Sequence, residues 1–181
     1  VTGHRMADLR RARDCAVGDI VEVRLDGVTD LDIAGALEGR KKPVIVTCRP
    51  QWEGGRFSGS EEERLRVLGD AIRLGAEYVD VEWKADRRGL PPAGATRIVL
   101  SHHDFSGMPG DLAERVCAMH AEQPATVKVA ATATRLTDCL TLREAMSRST
   151  SHVAIAMGSA GQLSRVCPWL FGSAWTYGGA A

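Results

Sequence analysis

The chain has 181 residues, 44% of them hydrophobic, with 23 basic and 23 acidic side chains and no formal net charge. That length and apolar fraction suit a single domain over residues 1–181 with a buried core. Balanced charge argues against a nucleic-acid groove or an anionic membrane surface as the main partner, and no apolar run nears the roughly 18 residues of a membrane span.

The opening residues Val1 to Arg13 are basic and lack the apolar stretch of a signal peptide. Five cysteines (Cys15, Cys48, Cys117, Cys139, Cys167) are spread singly, as reduced thiols of a cytoplasmic protein would be. The first periodic segment is a helix over Met6–Ala16, followed by strand-like runs at Ile20–Leu25 and Val44–Cys48. The clearest helix is Glu61–Leu74, where Ser60 and Glu63 form a capping box and Leu65, Leu68 and Ile72 share a face. A strand at Tyr78–Glu82 and one at Arg97–His102 flank a short loop, Pro91-Pro92-Ala93-Gly94. Then come a helix at Asp111–Glu122, a strand at Thr126–Ala131, a helix at Leu136–Ser147, and strands at His152–Met157 and Gly172–Tyr177.

Strand–helix repetition implies parallel strands joined by crossovers, an α/β fold. The expected architecture is a (β/α)8 TIM barrel lacking its first strand and last helix in this chain. A flavodoxin-like open sheet needs fewer strands than these seven, and the helical segments leave no room for the hairpins of an antiparallel sheet. Alternation sets valines against charges: Glu22, Arg24 and Asp26 share one face of their run, Thr47 and Arg49 another, as do Asp80 with Glu82 and Thr126 with Lys128. Valines facing helices would turn these polar groups into a barrel, where they would converge on one pocket.

Of the 23 basic residues 19 are Arg and four are Lys. Lys128 alone lies in a strand with no other charge, Ala125-Thr126-Val127-Lys128-Val129-Ala130-Ala131. A lysine there suggests amine chemistry, because Lys, unlike Arg, can lose its proton and attack a carbonyl. Ser101-His102-His103-Asp104-Phe105 offers a general base; adjacent histidines face opposite ways, and spacing alone does not choose between them. No H-x-x-x-H or H-x-H accompanies them, so zinc is not expected. Glu53-Gly54-Gly55 ends the second strand region, and Met157-Gly158 leads through a glycine-rich turn to Arg165, which suits a carboxylate or phosphate. His4, His120 and His152 have no partners in view and read as structural.

As an ordered set these pieces resemble the type I 3-dehydroquinate dehydratases of the shikimate pathway. The matching segments are Glu22-Val23-Arg24-Leu25-Asp26, Thr47-Cys48-Arg49 with Glu53-Gly54-Gly55, Asp80-Val81-Glu82, Ser101 to Phe105, Lys128-Val129-Ala130, Met157-Gly158 with Ser164-Arg165, and Phe171-Gly172-Ser173 with Thr176-Tyr177-Gly178. The resemblance implies a cytoplasmic barrel lyase that dehydrates 3-dehydroquinate to 3-dehydroshikimate without cofactor or metal. The family pattern of Ser, any residue, His, Asp or Asn, Phe selects His103 over His102. It further implies Lys128 as the imine-forming lysine, His103 as general base and acid, and Glu53 as the carboxylate that orients it. Arg165 would pair with the substrate carboxylate, while Glu22, Arg24 and Arg49 would hold the ring hydroxyls. The implied partner is the small-molecule substrate, and a homodimer is typical of the family.

Two departures stand out. The family carries a later loop with a Ser and a Gln that close over the carboxylate, whereas this chain stops at Gly178-Gly179-Ala180-Ala181. The helix due between Glu82 and Arg97 is also short. The competing readings are another imine-forming barrel such as a class I aldolase, which would share Lys128 without needing the His103 and Glu53 pair, and an idle metabolite-binding barrel.

Overall fold

Runs of β-branched and aliphatic residues build six strands: β1 (Val21–Arg24), β2 (Val44–Thr47), β3 (Tyr78–Glu82), β4 (Arg97–Asp104), β5 (Thr126–Thr132) and β6 (His152–Met157). They belong to a computed structural model that describes residues 1–147 and 151–179; Ala180 and Ala181, the last two of the segment read as departing from the family's closing loop, lie outside them. The helices are α1 (Met6–Cys15), α2 (Ile33–Leu37), α3 (Glu61–Arg73), α4 (Leu112–Ala121), α5 (Leu136–Met146) and α6 (Leu163–Val166). The chain divides into two compact units, one of residues 1–81, 85–98 and 179, the other of residues 82–84 and 99–178.

In the first unit β1, β2 and β3 pair in parallel, with Arg24 opposite Thr47 and Thr47 opposite Asp80. The outward-alternating positions Val21, Val23, Leu25, Val44, Val46, Cys48, Val79 and Val81 pack with Leu9 of α1, Leu37 of α2 and Leu68, Ala71 and Ile72 of α3. Burial of this apolar face holds the helices to the strands, at about 25 cal/mol per Å². The capping box at Ser60 is formed in full: its hydroxyl accepts from the Glu63 N–H at 3.2 Å, and the Glu63 carboxylate accepts from the Ser60 N–H at 2.8 Å.

In the second unit β4, β5 and β6 are again parallel, Ser101 standing opposite Lys128 and Lys128 opposite Val153. One face, carrying Leu100, Val127, Val129, Ala154 and Ala156, packs on Leu112, Val116 and Met119 of α4 and on Cys139, Leu142 and Met146 of α5. The other face carries Ala130, Val153 and Ile155, against which Trp175 and Tyr177 lie.

The seventh run, Gly172–Tyr177, is not a strand. It follows β6 closely, and the Ala174 N–H donates to the His152 carbonyl at 2.8 Å. At the next rung the Ser173 hydroxyl, rather than a backbone carbonyl, accepts the Ala154 N–H at 3.0 Å. A side chain has replaced the main chain as acceptor, so no ladder propagates. Between β3 and β4 the expected short element is a single 3₁₀ turn, Arg87–Gly89.

Candidate functional site

The polar strand faces read from the sequence exist in both units. In the first, the Thr47 hydroxyl donates to Glu22 Oε1 at 2.9 Å. The Arg24 guanidinium makes a two-pronged bond to Asp26, each prong 2.8 Å, in the turn just past its own strand. Burial alone would raise the Asp26 carboxyl, but the Arg24 fork and the Arg56 N–H outweigh it and hold it below the usual carboxylate range. Arg49 donates to Asp80 Oδ1 at 2.8 Å and stands 3.8 Å from Glu53 Oε2; all three are buried, at no more than 4% exposure. One cation therefore faces two carboxylates in a desolvated setting, where each charge depends on the others.

Glu53 owes its position to the chain that follows. It ends a 3₁₀ turn, Gln51–Glu53, that Gly54 closes in the left-handed conformation at φ 75°. At Gly55 a Cβ would stand 2.0 Å from the Arg49 carbonyl oxygen, so only glycine lets the loop fold back there. Arg64 of α3 reaches beneath, its side chain wholly buried, and donates to the Cys48 carbonyl at 3.1 Å.

In the second unit Lys128 is 4% exposed and sits third in β5, within the strand rather than at its C-terminal end. Its Nζ lies 4.4 Å from the centre of the Tyr177 ring. Ser101 faces it across the ladder, and His103 stands opposite Ala130, two positions further along the same face. Strand spacing puts the His103 and Lys128 backbones about 8 Å apart, a reach that two long side chains span. His103 is half-buried, and its ring stacks on Phe105 at 6.3 Å. His102 turns the other way. It is buried, meets Trp83 edge-on at 5.9 Å, and its Nε2 lies 3.0 Å from Arg115 of α4.

Arg165 lies on α6 and is exposed. The residue before it anchors the helix: the buried Ser164 hydroxyl accepts the Ala156 N–H and donates to the Gly161 carbonyl, both at 2.9 Å. His152 is buried with its Nε2 against the Phe171 carbonyl at 2.7 Å, a structural contact. Among the described residues no group of three or more His, Cys, Asp or Glu side chains is placed to hold a metal ion, and no helix is long and apolar enough to cross a membrane.

Sequence reasoning gave no role to Asp26, Asp80 or Arg115. The first two share strand faces with Arg24 and Thr47, and that alternation was the signal for them. Arg115 sits on a helix, 13 residues from the histidine it touches, and no local pattern marks it.

The type I 3-dehydroquinase family model matches residues 1–181. The chain belongs to the type I 3-dehydroquinase family. It is accordingly an enzyme, a lyase of the shikimate pathway. A 3-dehydroquinate dehydratase of Methanothermobacter thermautotrophicus is 35% identical over 168 residues, covering 90% of this chain and 76% of that protein. Among solved structures, the 3-dehydroquinate dehydratase of Enterococcus faecalis is 28% identical with a TM-score of 0.82, covering 98% of this chain and 85% of that one. The enzyme of Geobacillus kaustophilus is 26% identical with a TM-score of 0.84, covering all of this chain and 82% of that one. Membership of a type I 3-dehydroquinase family sets aside the aldolase reading.

Proposed function

We propose that this type I 3-dehydroquinase dehydrates 3-dehydroquinate to 3-dehydroshikimate through an imine on Lys128, with His103 as general base and then general acid, in a (β/α)8 TIM barrel. The observation that carries the reading is the pairing of a nearly sealed strand lysine with His103 on its own face, while His102 is turned to the helices.

Neutral Lys128 Nζ adds to the ketone carbon, and the carbonyl oxygen leaves as water, giving a protonated imine. His103 removes a proton from the adjacent carbon, and the electron pair moves toward the cationic nitrogen to form an enamine. The enamine then expels the hydroxyl on the next carbon, which takes the proton from His103. Water hydrolyses the resulting iminium, returning the lysine amine and releasing the enone. An iminium stabilises the neighbouring carbanion better than a ketone because its charge is in place beforehand, and an imidazole can be base in one step and acid in the next. In the same reading, on the family resemblance, Glu53 is the polarising carboxylate. Glu22, Arg24 and Arg49 hold ring hydroxyls, and the exposed cation of Arg165 takes the substrate carboxylate, the bidentate geometry that favours Arg over Lys.

The test follows enone formation in the near ultraviolet with 3-dehydroquinate. Lys128→Ala is expected to abolish turnover with the unfolding midpoint within a few degrees of the parent. Full turnover by that variant would overturn the proposal.

A further inference from the structure

We propose that Tyr177 serves the reaction by holding the cationic nitrogen of the lysine adduct against its ring face. The inference rests on Lys128 as the imine-forming residue. Its starting point is the 4.4 Å separation between Lys128 Nζ and the centre of the Tyr177 ring, well inside the ~6 Å over which a ring face attracts a cation.

The ring is held where it is by the segment that failed to become a strand. Ala174 and Ser173 tie that segment to β6 through the His152 carbonyl and the Ala154 N–H. Two and four residues beyond Ser173, Trp175 and Tyr177 pack on Ala130, Val153 and Ile155, the side chains that share the face of Lys128. The imine nitrogen is the lysine Nζ itself, so the charge of the iminium forms at an atom that the ring already covers.

An aromatic face suits this position better than the alternatives. An aliphatic side chain would exclude water but give a cation nothing in return. A carboxylate in its place would bind the ammonium strongly and hold the amine protonated, out of reach of the ketone. The quadrupole of a ring attracts positive charge without accepting a proton. The neutral amine, carbinolamine and enamine gain nothing from it, whereas the iminium formed before deprotonation and the one awaiting hydrolysis both do. The free ammonium gains as well, but less than it would from a carboxylate. The contribution therefore appears in how much iminium is present.

The experiment measures the fraction of protein trapped by borohydride during turnover of 3-dehydroquinate, by intact mass, for the parent, Tyr177→Phe, Tyr177→Leu and Tyr177→Met. Phe keeps the ring face and is expected within about twofold of the parent. Leu and Met keep apolar bulk without a quadrupole and are expected to trap roughly 3- to 30-fold less, with thermal midpoints near that of the parent. Either aliphatic variant is sufficient if the other does not fold. Parent-like trapping in Leu or Met overturns the proposal, and so does an equal loss in Phe, which would assign the effect to the hydroxyl. Failure of the parent itself to trap any adduct would instead overturn the Lys128 reading on which this one depends.

Discussion

Arg115 holds His102 by its Nε2 at 3.0 Å, on the helix side of β4. A guanidinium only donates, so the ring nitrogen is the acceptor of this contact. The same Arg115 reaches Asp104 Oδ2 at 3.4 Å and Asp111 Oδ1 at 2.8 Å. It thus fastens α4 to the end of the strand that presents His103 from its other face.

The two histidines are therefore expected to differ in kind. His103→Ala should lower kcat by roughly 10²- to 10⁴-fold, the usual worth of a general base, while still accumulating a trappable adduct. His102→Ala should keep kcat within a few-fold and lose about 0.5–3 kcal/mol of stability, because a buried ring packed against Trp83 is removed and Arg115 loses one of its acceptors. Steady-state rates alongside urea unfolding separate the two effects; equal losses of kcat would reverse the assignment.

Arg49 and Asp80 are buried as a pair, with Glu53 sharing the cation. Arg49→Met leaves two carboxylates without it in a desolvated setting, and a loss of about 3–5 kcal/mol is expected. Urea unfolding at pH 7 checks this; a variant as stable as the parent would contradict it.

Glu77 and Asp26 are two of the carboxyls that shape the response of the parent to acid. At Glu77 burial raises the pKa, but the Arg40 guanidinium and the Val44 N–H outweigh it and hold the group low. Asp26 is held low by Arg24 in the same way. A carboxyl that titrates lower when folded stabilises the protein above its unfolded value of about 3.9–4.3, and that stability disappears as pH falls through the folded value. Urea midpoints are expected to be flat near neutrality and to fall below about pH 5. Glu77→Gln should begin less stable at pH 7 and show a shallower acid decline; an unchanged slope would exclude Glu77 from the effect.

The cap of α3 gives a simpler expectation. Ser60→Ala removes the acceptor of the Glu63 N–H and part of the reciprocal box, at a cost of about 0.5–2 kcal/mol. Chemical denaturation reads it, with no change expected in kcat.

Much of this was legible because a strand enforces a period of two. Alternation in Val21 to Asp26 and in Thr126 to Ala131 put the valines under helices and Glu22, Arg24 and Lys128 on the opposite faces. The same rule said that only one of two adjacent histidines could join the lysine, though the family pattern had to choose it. β4 runs two residues past its expected end, to Asp104, so His103 is carried by a rigid strand. What escaped was set by contacts distant in sequence. Five residues of α2 are too few to show periodicity, although Asp32 caps them by accepting the Gly35 N–H at 3.0 Å. The run at Gly172–Tyr177 has strand composition, yet the Ser173 hydroxyl takes the place of the main chain. The partner of His102 is a helical arginine, and the ring over Lys128 arrives from 49 residues downstream.

The central claim is a covalent bond to one nitrogen, and mass spectrometry tests it directly. The chain is mixed with 3-dehydroquinate and borohydride, its intact mass is recorded, and the labelled peptide is mapped. The account predicts one substrate-derived addition, located on Lys128 and absent from Lys128→Ala. An addition that maps elsewhere or survives in that variant, or no addition to the parent at all, would contradict it.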